Sequence, residues 1–276
     1  MAVQNSGLAK SNLAGAGPKA AAGELRYHGA YGNCADSMKV HFRCPPELAG
    51  ILPRPFVAKR GLPEWLKRMA ATAPSADVDG EIRTVKQCPP FIDAMGFGFM
   101  VPLAADIRVQ GGRFEWDWEL GPSSVGGYTR SPLSFHLAEQ LAGAPIADAD
   151  SAAIKFTNYW TIETPPGYGL LVTHPFNRED LPFRTLSGLV DTDRYKNGCI
   201  QFPALWLDAD FAGVLARGTP IAQCVPVPRD ALSLVFGELT GDAARDFMTT
   251  QDRVNAEPGT YRRHFRVAKP GSAESE

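Results

Sequence analysis

No apolar run in this sequence approaches the roughly 20 residues that cross a bilayer, which argues against a membrane-spanning chain. Cysteine is scarce as well. The five cysteines (Cys34, Cys44, Cys88, Cys199 and Cys224) are widely spaced, odd in number and form no Cys-x-x-Cys pair. That pattern indicates neither a zinc ribbon nor a disulfide framework; reduced thiols in a cytoplasmic protein are expected. There is no basic excess: 28 Lys and Arg stand against 30 Asp and Glu, a net charge of -2. A protein built mainly to grip nucleic acid would carry a positive surplus. No basic segment leads into a hydrophobic block near Met1, so a signal peptide is not expected. No internal repeat is visible.

The 276 residues, 44% hydrophobic and 21% charged, are enough for a full core in one or two domains. Residues 1–36 are rich in Ala, Gly, Ser and Lys without period, and read as a flexible tail. Residues 37–267 read as a single β-rich domain and 268–276 as a disordered tail. Met38 to Phe42 alternates as a short strand, and Leu62 to Met69 forms one short helix with Pro63 at its start. Ala70 to Gly80 is a polar, alanine-rich connection. Strands follow over Gly98 to Val109 and Phe114 to Trp118, joined by the turn Gln110-Gly111-Gly112-Arg113. Pro132 to Leu141 reads as a helix or a loop crossing the domain. Further strands cover Ile154 to Glu163, Gly169 to Thr173, Leu186 to Val190 and Cys199 to Trp206. A hairpin is expected from Phe211 through Gly218 to Val227, and a terminal helix over Gly241 to Val254. Many short strands punctuated by Gly and Pro predict a closed or sandwiched β architecture.

Four segments stand in a telling order: Thr164-Pro165-Pro166-Gly167-Tyr168, His174-Pro175-Phe176-Asn177, Gly188-Leu189-Val190-Asp191-Thr192-Asp193-Arg194-Tyr195, and Gly218-Thr219-Pro220-Ile221-Ala222-Gln223. The first, third and fourth resemble motifs of the dUTPase and dCTP deaminase superfamily, over about a quarter of the chain. The resemblance implies a mainly β, dUTPase-like distorted jelly roll (β-clip) with a few short helices. It implies a homotrimer, a nucleotide-like small-molecule substrate and a divalent metal such as Mg. By the same resemblance Asp191 activates water, with Asp193 beside it, Tyr195 packs under the sugar and base, and Gln223 lies near phosphate. Read from the residues alone, Asp191 equally fits a turn-capping carboxylate, Tyr195 a half-buried packing residue, and Gln223 a surface strand glutamine. The Arg and Ser of the family's second motif are replaced by His174-Pro175-Phe176-Asn177; Arg178, one residue on, and Asn177 are the remaining candidates for substrate binding there. The family's glycine-rich fifth motif is absent, and only Gly259-Thr260-Tyr261-Arg262-Arg263-His264-Phe265 stands near the end.

The run Thr173 to Asp180 suggests a second chemistry. His174 closes an apolar strand, where an acid-base histidine or a metal ligand would sit. With Asp180 it is a candidate for a non-haem metal such as Fe, although no His-x-His or His-x-Asp spacing completes the set. A turn histidine bonded to a backbone carbonyl fits the same pattern. Three functions therefore remain open. One is hydrolysis of a nucleotide-like molecule through Asp191. Another is a repurposed enzyme using His174 and nearby carboxylates. The last is a non-catalytic ligand-binding or structural protein, since a fold does not fix an activity.

Overall fold

The computed structural model describes residues 37–117, 129–146 and 152–267. The two segments read as tails, and Trp118, lie outside the described residues. The described part is mainly β, with a few short helices. Its centre is a five-stranded antiparallel sheet in the order Gly188–Val190, Tyr168–Thr173, Pro220–Pro228, Phe99–Pro102, Phe56–Val57. A four-stranded sheet is ordered Phe183–Thr185, Phe202–Trp206, Ala152–Phe156, Leu133–Phe135. Gly213–Leu215, Ile107–Gln110 and Arg113–Glu115 make a third sheet. Two pairs complete the set: His41–Arg43 with Thr161–Glu163, and Thr72–Ser75 with Gly80–Arg83.

Pattern explains most of these elements. Ile107–Gln110 alternates buried and exposed, as a strand with one wet face must. Pro220–Pro228 is instead buried almost continuously through Val225, because it is paired on both edges and covered on both faces. Gly111 and Gly112 both take positive φ, the geometry of a two-residue hairpin turn. Side chains of the first three sheets meet in one core, where Leu170 and Ile221 pack with Phe156, Phe183, Phe202 and Ile107.

Several expectations are corrected. The polar connection at 70–80 contains the strand Thr72–Ser75, closed onto Gly80–Arg83 by a turn in which Asp79 has φ 44°. Leu133–Phe135 is a strand held against Ala152–Phe156, followed by a 3-10 turn at Ala138–Leu141, rather than a helix or loop. A helix not expected from the sequence spans Pro89–Met95, begun by the Pro89-Pro90 pair. The hairpin through Gly218 does not close. Gly218 N–H donates to Leu103 O and Leu103 N–H to Thr219 O, both at 2.8 Å. Those bonds tie the turn to a third segment, so Gly213–Leu215 and Pro220–Pro228 diverge into different sheets.

Candidate functional site

The turn that follows Gly188–Val190 is assembled by backbone bonds. Asp191 O accepts the N–H groups of Arg194 and Tyr195 at 3.0 and 2.8 Å, and Thr192 N–H donates to Val190 O at 2.9 Å. Thr192 is fully buried and its Oγ1 lies 2.6 Å from Thr164 Oγ1. Since the Thr164 hydroxyl donates to Tyr168 O at 2.8 Å, the Thr192 hydroxyl is the donor in that pair. Asp193 Oδ2 accepts Gly167 N–H at 3.0 Å and an N–H of Arg229. The turn is thus riveted to the Pro-Pro-Gly-Tyr segment at two points.

Arg229, just beyond the end of Pro220–Pro228, spans both carboxylates. Its Nη1 donates to Asp191 Oδ1 at 3.1 Å while Nη2 binds Asp193, and its backbone N–H donates to Gly167 O at 3.0 Å. The two aspartates differ in setting. The Asp191 side chain is 60% exposed and that of Asp193 is 7% exposed. Asp193 Oδ1 is buried with no hydrogen-bond partner among the described residues. Buried polar atoms are almost always satisfied, and this oxygen is an exception among the described residues. Tyr195 projects from the same turn, half exposed, with its ring laid directly over Gly198, where an added Cβ would push the ring aside. Beside it Arg43 donates to Glu163 Oε2 at 3.1 Å and to Lys196 O at 3.0 Å.

His174 lies elsewhere. Strand register puts Asp191 beyond Val190, opposite Gly169, whereas His174 follows Thr173 at the other end of the same strand. Five residues of strand, roughly 17 Å, separate the two. Both ring nitrogens of His174 are engaged: Nε2–H donates to Arg178 O at 3.0 Å and Nδ1 accepts Thr185 N–H at 3.2 Å. Burial pushes its pKa down, against the smaller upward pull of the Arg178 carbonyl. That fixes the neutral ring in one tautomer, and an acid-base or metal-binding role would break one of these bonds.

The residues after His174 form a separate cluster. Arg178, buried, grips Asp180 with Nε to Oδ1 at 2.8 Å and Nη2 to Oδ2 at 3.0 Å, and Trp65 Nε1–H donates to Asp180 Oδ1 at 3.2 Å. Burial raises the Asp180 pKa, but the Arg178 bond and charge, with the Trp65 bond, outweigh it and hold the carboxyl below its ordinary value. With both of its oxygens and both His174 nitrogens committed, the pair presents no open donor set for a metal. Among the described residues no group of three or more His, Cys, Asp or Glu side chains could hold one. Asn177, at φ 57°, lines an open cavity of about 520 Å3 with Trp65, Phe91, Glu179 and Asp180.

Gln223 is fully buried. Its Oε1 accepts Phe176 N–H at 2.9 Å, and its Nε2 donates to Ala94 O and Phe97 O at 2.9 and 2.6 Å. One amide thus ties the loop after His174 to the end of the Pro89–Met95 helix. Gln223→Leu is expected to cost about 3 kcal/mol, since it strands three partly buried backbone groups. A denaturant midpoint unchanged by the substitution would contradict this clamp.

The structure therefore brings Asp191, Asp193 and Tyr195 onto one turn, and His174, Asn177, Arg178 and Asp180 onto another; Gln223 serves the second from within the core. Sequence reasoning missed Arg229, although it stands at the last position of the motif-bearing segment, where a cation could meet two aspartates. It also missed Phe91, whose only signal is the Pro-Pro helix start before it.

The fold defines a mainly β protein with a few short helices. No family model matches the sequence, and no curated protein does. Among solved structures it is similar to a mutant dUTPase of Staphylococcus bacteriophage 80alpha in complex with dUpNHpp: 15% identity, 38% of this chain and 88% of that one covered, TM-score 0.23. It is also similar to a mutant dUTPase of phage phi11 of S. aureus that coordinates a structural Mg(II) ion, at 14% identity, 39% and 97% coverage and TM-score 0.23.

Proposed function

We propose that the turn from Val190 to Tyr195 is the working site of an enzyme that hydrolyses a nucleotide or nucleotide-like small molecule. The observation that carries this reading is the Arg229 guanidinium held between exposed Asp191 and buried Asp193 on the turn that also presents Tyr195. In the proposed reaction Asp191 takes a proton from a water as the oxygen of that water attacks phosphorus. The phosphoanhydride P–O bond breaks and the leaving phosphate departs with the electron pair. The half-exposed Tyr195 ring offers a face for the base, and exposed Arg194 offers charge for a phosphate.

Asp191→Asn is expected to abolish turnover, by a hundredfold or more, and to leave melting unchanged because the side chain is largely exposed. A variant that still turns over excludes Asp191 as the base. Nucleotide at a hundred times its dissociation constant should add about 2.7 kcal/mol of stability, and the absence of any thermal shift across a nucleotide panel counts against the reading.

The aromatic-lined cavity at Trp65 and Phe91 favours a second reading, non-catalytic binding of a small molecule. There Phe91→Ala removes the ligand-induced shift, whereas Asp191→Asn leaves it intact.

A further inference from the structure

Between Arg229 and Thr260 the chain leaves the body and returns. The departure is fixed by the Arg229 contacts with Gly167, Asp191 and Asp193. The return is fixed by buried Thr260 and by Arg266, whose Nε and Nη2 bind Asp93 at 3.0 and 2.7 Å. Between those anchors almost nothing is covered. Leu232 is 92%, Leu234 77% and Phe236 89% exposed. They recur with the two-residue period of a strand, yet the segment pairs with no strand among the described residues. The helix that follows, Gly241–Ala256, buries no residue, and Phe247 and Met248 on one face lie open.

An extended apolar segment and an amphipathic helix that bury no residue are stable only when something covers them. Leu232, Leu234, Val235, Phe236 and Leu239 are all largely exposed. A contiguous run of open apolar side chains marks an interaction surface on a folded chain.

The body carries a matching surface. Met38, Val40, Phe42, Phe56, Val57 and Phe97 line an apolar cavity of about 490 Å3 whose other lining residues are also Pro, Gly and Phe. Charge selects the same pairing. Residues 230–257 hold six acidic and two basic side chains, a net of -4. Residues 38–61, which supply Met38, Val40, Phe42, Pro55, Phe56 and Val57 to the cavity, hold five basic side chains and one acidic, a net of +4, although Arg43 is turned to Glu163. Apolar filling with complementary rims is how protein surfaces choose partners.

We propose that the excursion 230–257 of one copy docks on the 38–61 face of a second copy, with Leu232, Leu234 and Phe236 entering the apolar cavity. The assembly is a self-association of this chain. Light scattering on the full chain tests it. The wild type should run at twice the monomer mass or more, and less so in high salt. The double variant Leu234→Asp/Phe236→Asp, at positions exposed in the single chain, and the variant Val57→Glu/Phe97→Glu, at half-exposed cavity positions, should each run as monomers with unaltered circular dichroism. A one-to-one mixture of the two variants retains one intact excursion and one intact cavity, and should recover a dimer. A monomeric wild type, including one whose excursion closes on its own cavity, overturns the proposal. So does an excursion variant that assembles as the wild type does, or a mixture that stays monomeric.

Discussion

Gly98→Ala is expected to destabilise the protein by at least about 4 kcal/mol, a large share of the about 5–15 kcal/mol that holds a typical protein folded. Gly98 has φ 72°, a conformation costly for any residue with a Cβ. Space is the larger obstacle. An added Cβ would collide with the backbone carbonyl of Cys224, lying 3.1 Å from its carbon, and would press on Val225 Cγ2 at 3.2 Å. Neither yields cheaply, because Cys224 is paired with Phe99 in the middle of the central sheet. Gly98 O also receives Ala58 N–H at 3.0 Å, so the disturbance would reach the edge strand Phe56–Val57. Gly188→Ala is the control: Gly188 has ordinary φ and nothing within 4 Å of its would-be Cβ, so its denaturant midpoint should barely move. Comparable midpoints for the two variants would refute this account.

Arg229→Ala should cost about 3 kcal/mol, most of it through Asp193. Removing the guanidinium leaves a nearly buried carboxylate with only Gly167 N–H for support, and an uncompensated buried charge is expensive. Asp191 contributes little to that loss, since an exposed partner is screened by solvent. The double variant Arg229→Ala/Asp193→Asn should therefore recover much of the stability, whereas Arg229→Ala/Asp191→Asn should not. A double-mutant cycle reads this directly. Additive losses for Arg229 and Asp193 would show that the pair is not coupled.

Much of the architecture was legible because burial follows period. The alternation in Ile107–Gln110, the apolar run in Tyr168–Thr173 and the Gly-Gly turn at 111–112 each state their own local structure. What failed was partnership. Nothing near Gly218 reveals that its turn is bonded to Leu103 more than a hundred residues earlier, so an expected hairpin became strands of two sheets. The site shows the same division. Asp191, Asp193 and Tyr195 are close in sequence and stay close in space. His174 comes from the far end of an earlier strand in sequence, and strand register keeps it at the opposite end of Tyr168–Thr173. Gln223 reads as a surface amide because its three backbone partners come from two other segments. Long-range hydrogen bonding carries no local signature, and most of the errors trace to that.

Cys224 sits at the centre of the sheet with its thiol completely enclosed, and that burial drives its pKa far above the ordinary thiol range. Thiolate is the reactive form, so the folded chain shields this sulfur twice, by exclusion and by protonation. Cys88 stands open on the surface. Cys88 and Cys224 consequently act as two clocks for a single alkylating reagent, one running from the moment of mixing and the other started only when the middle of the sheet comes apart.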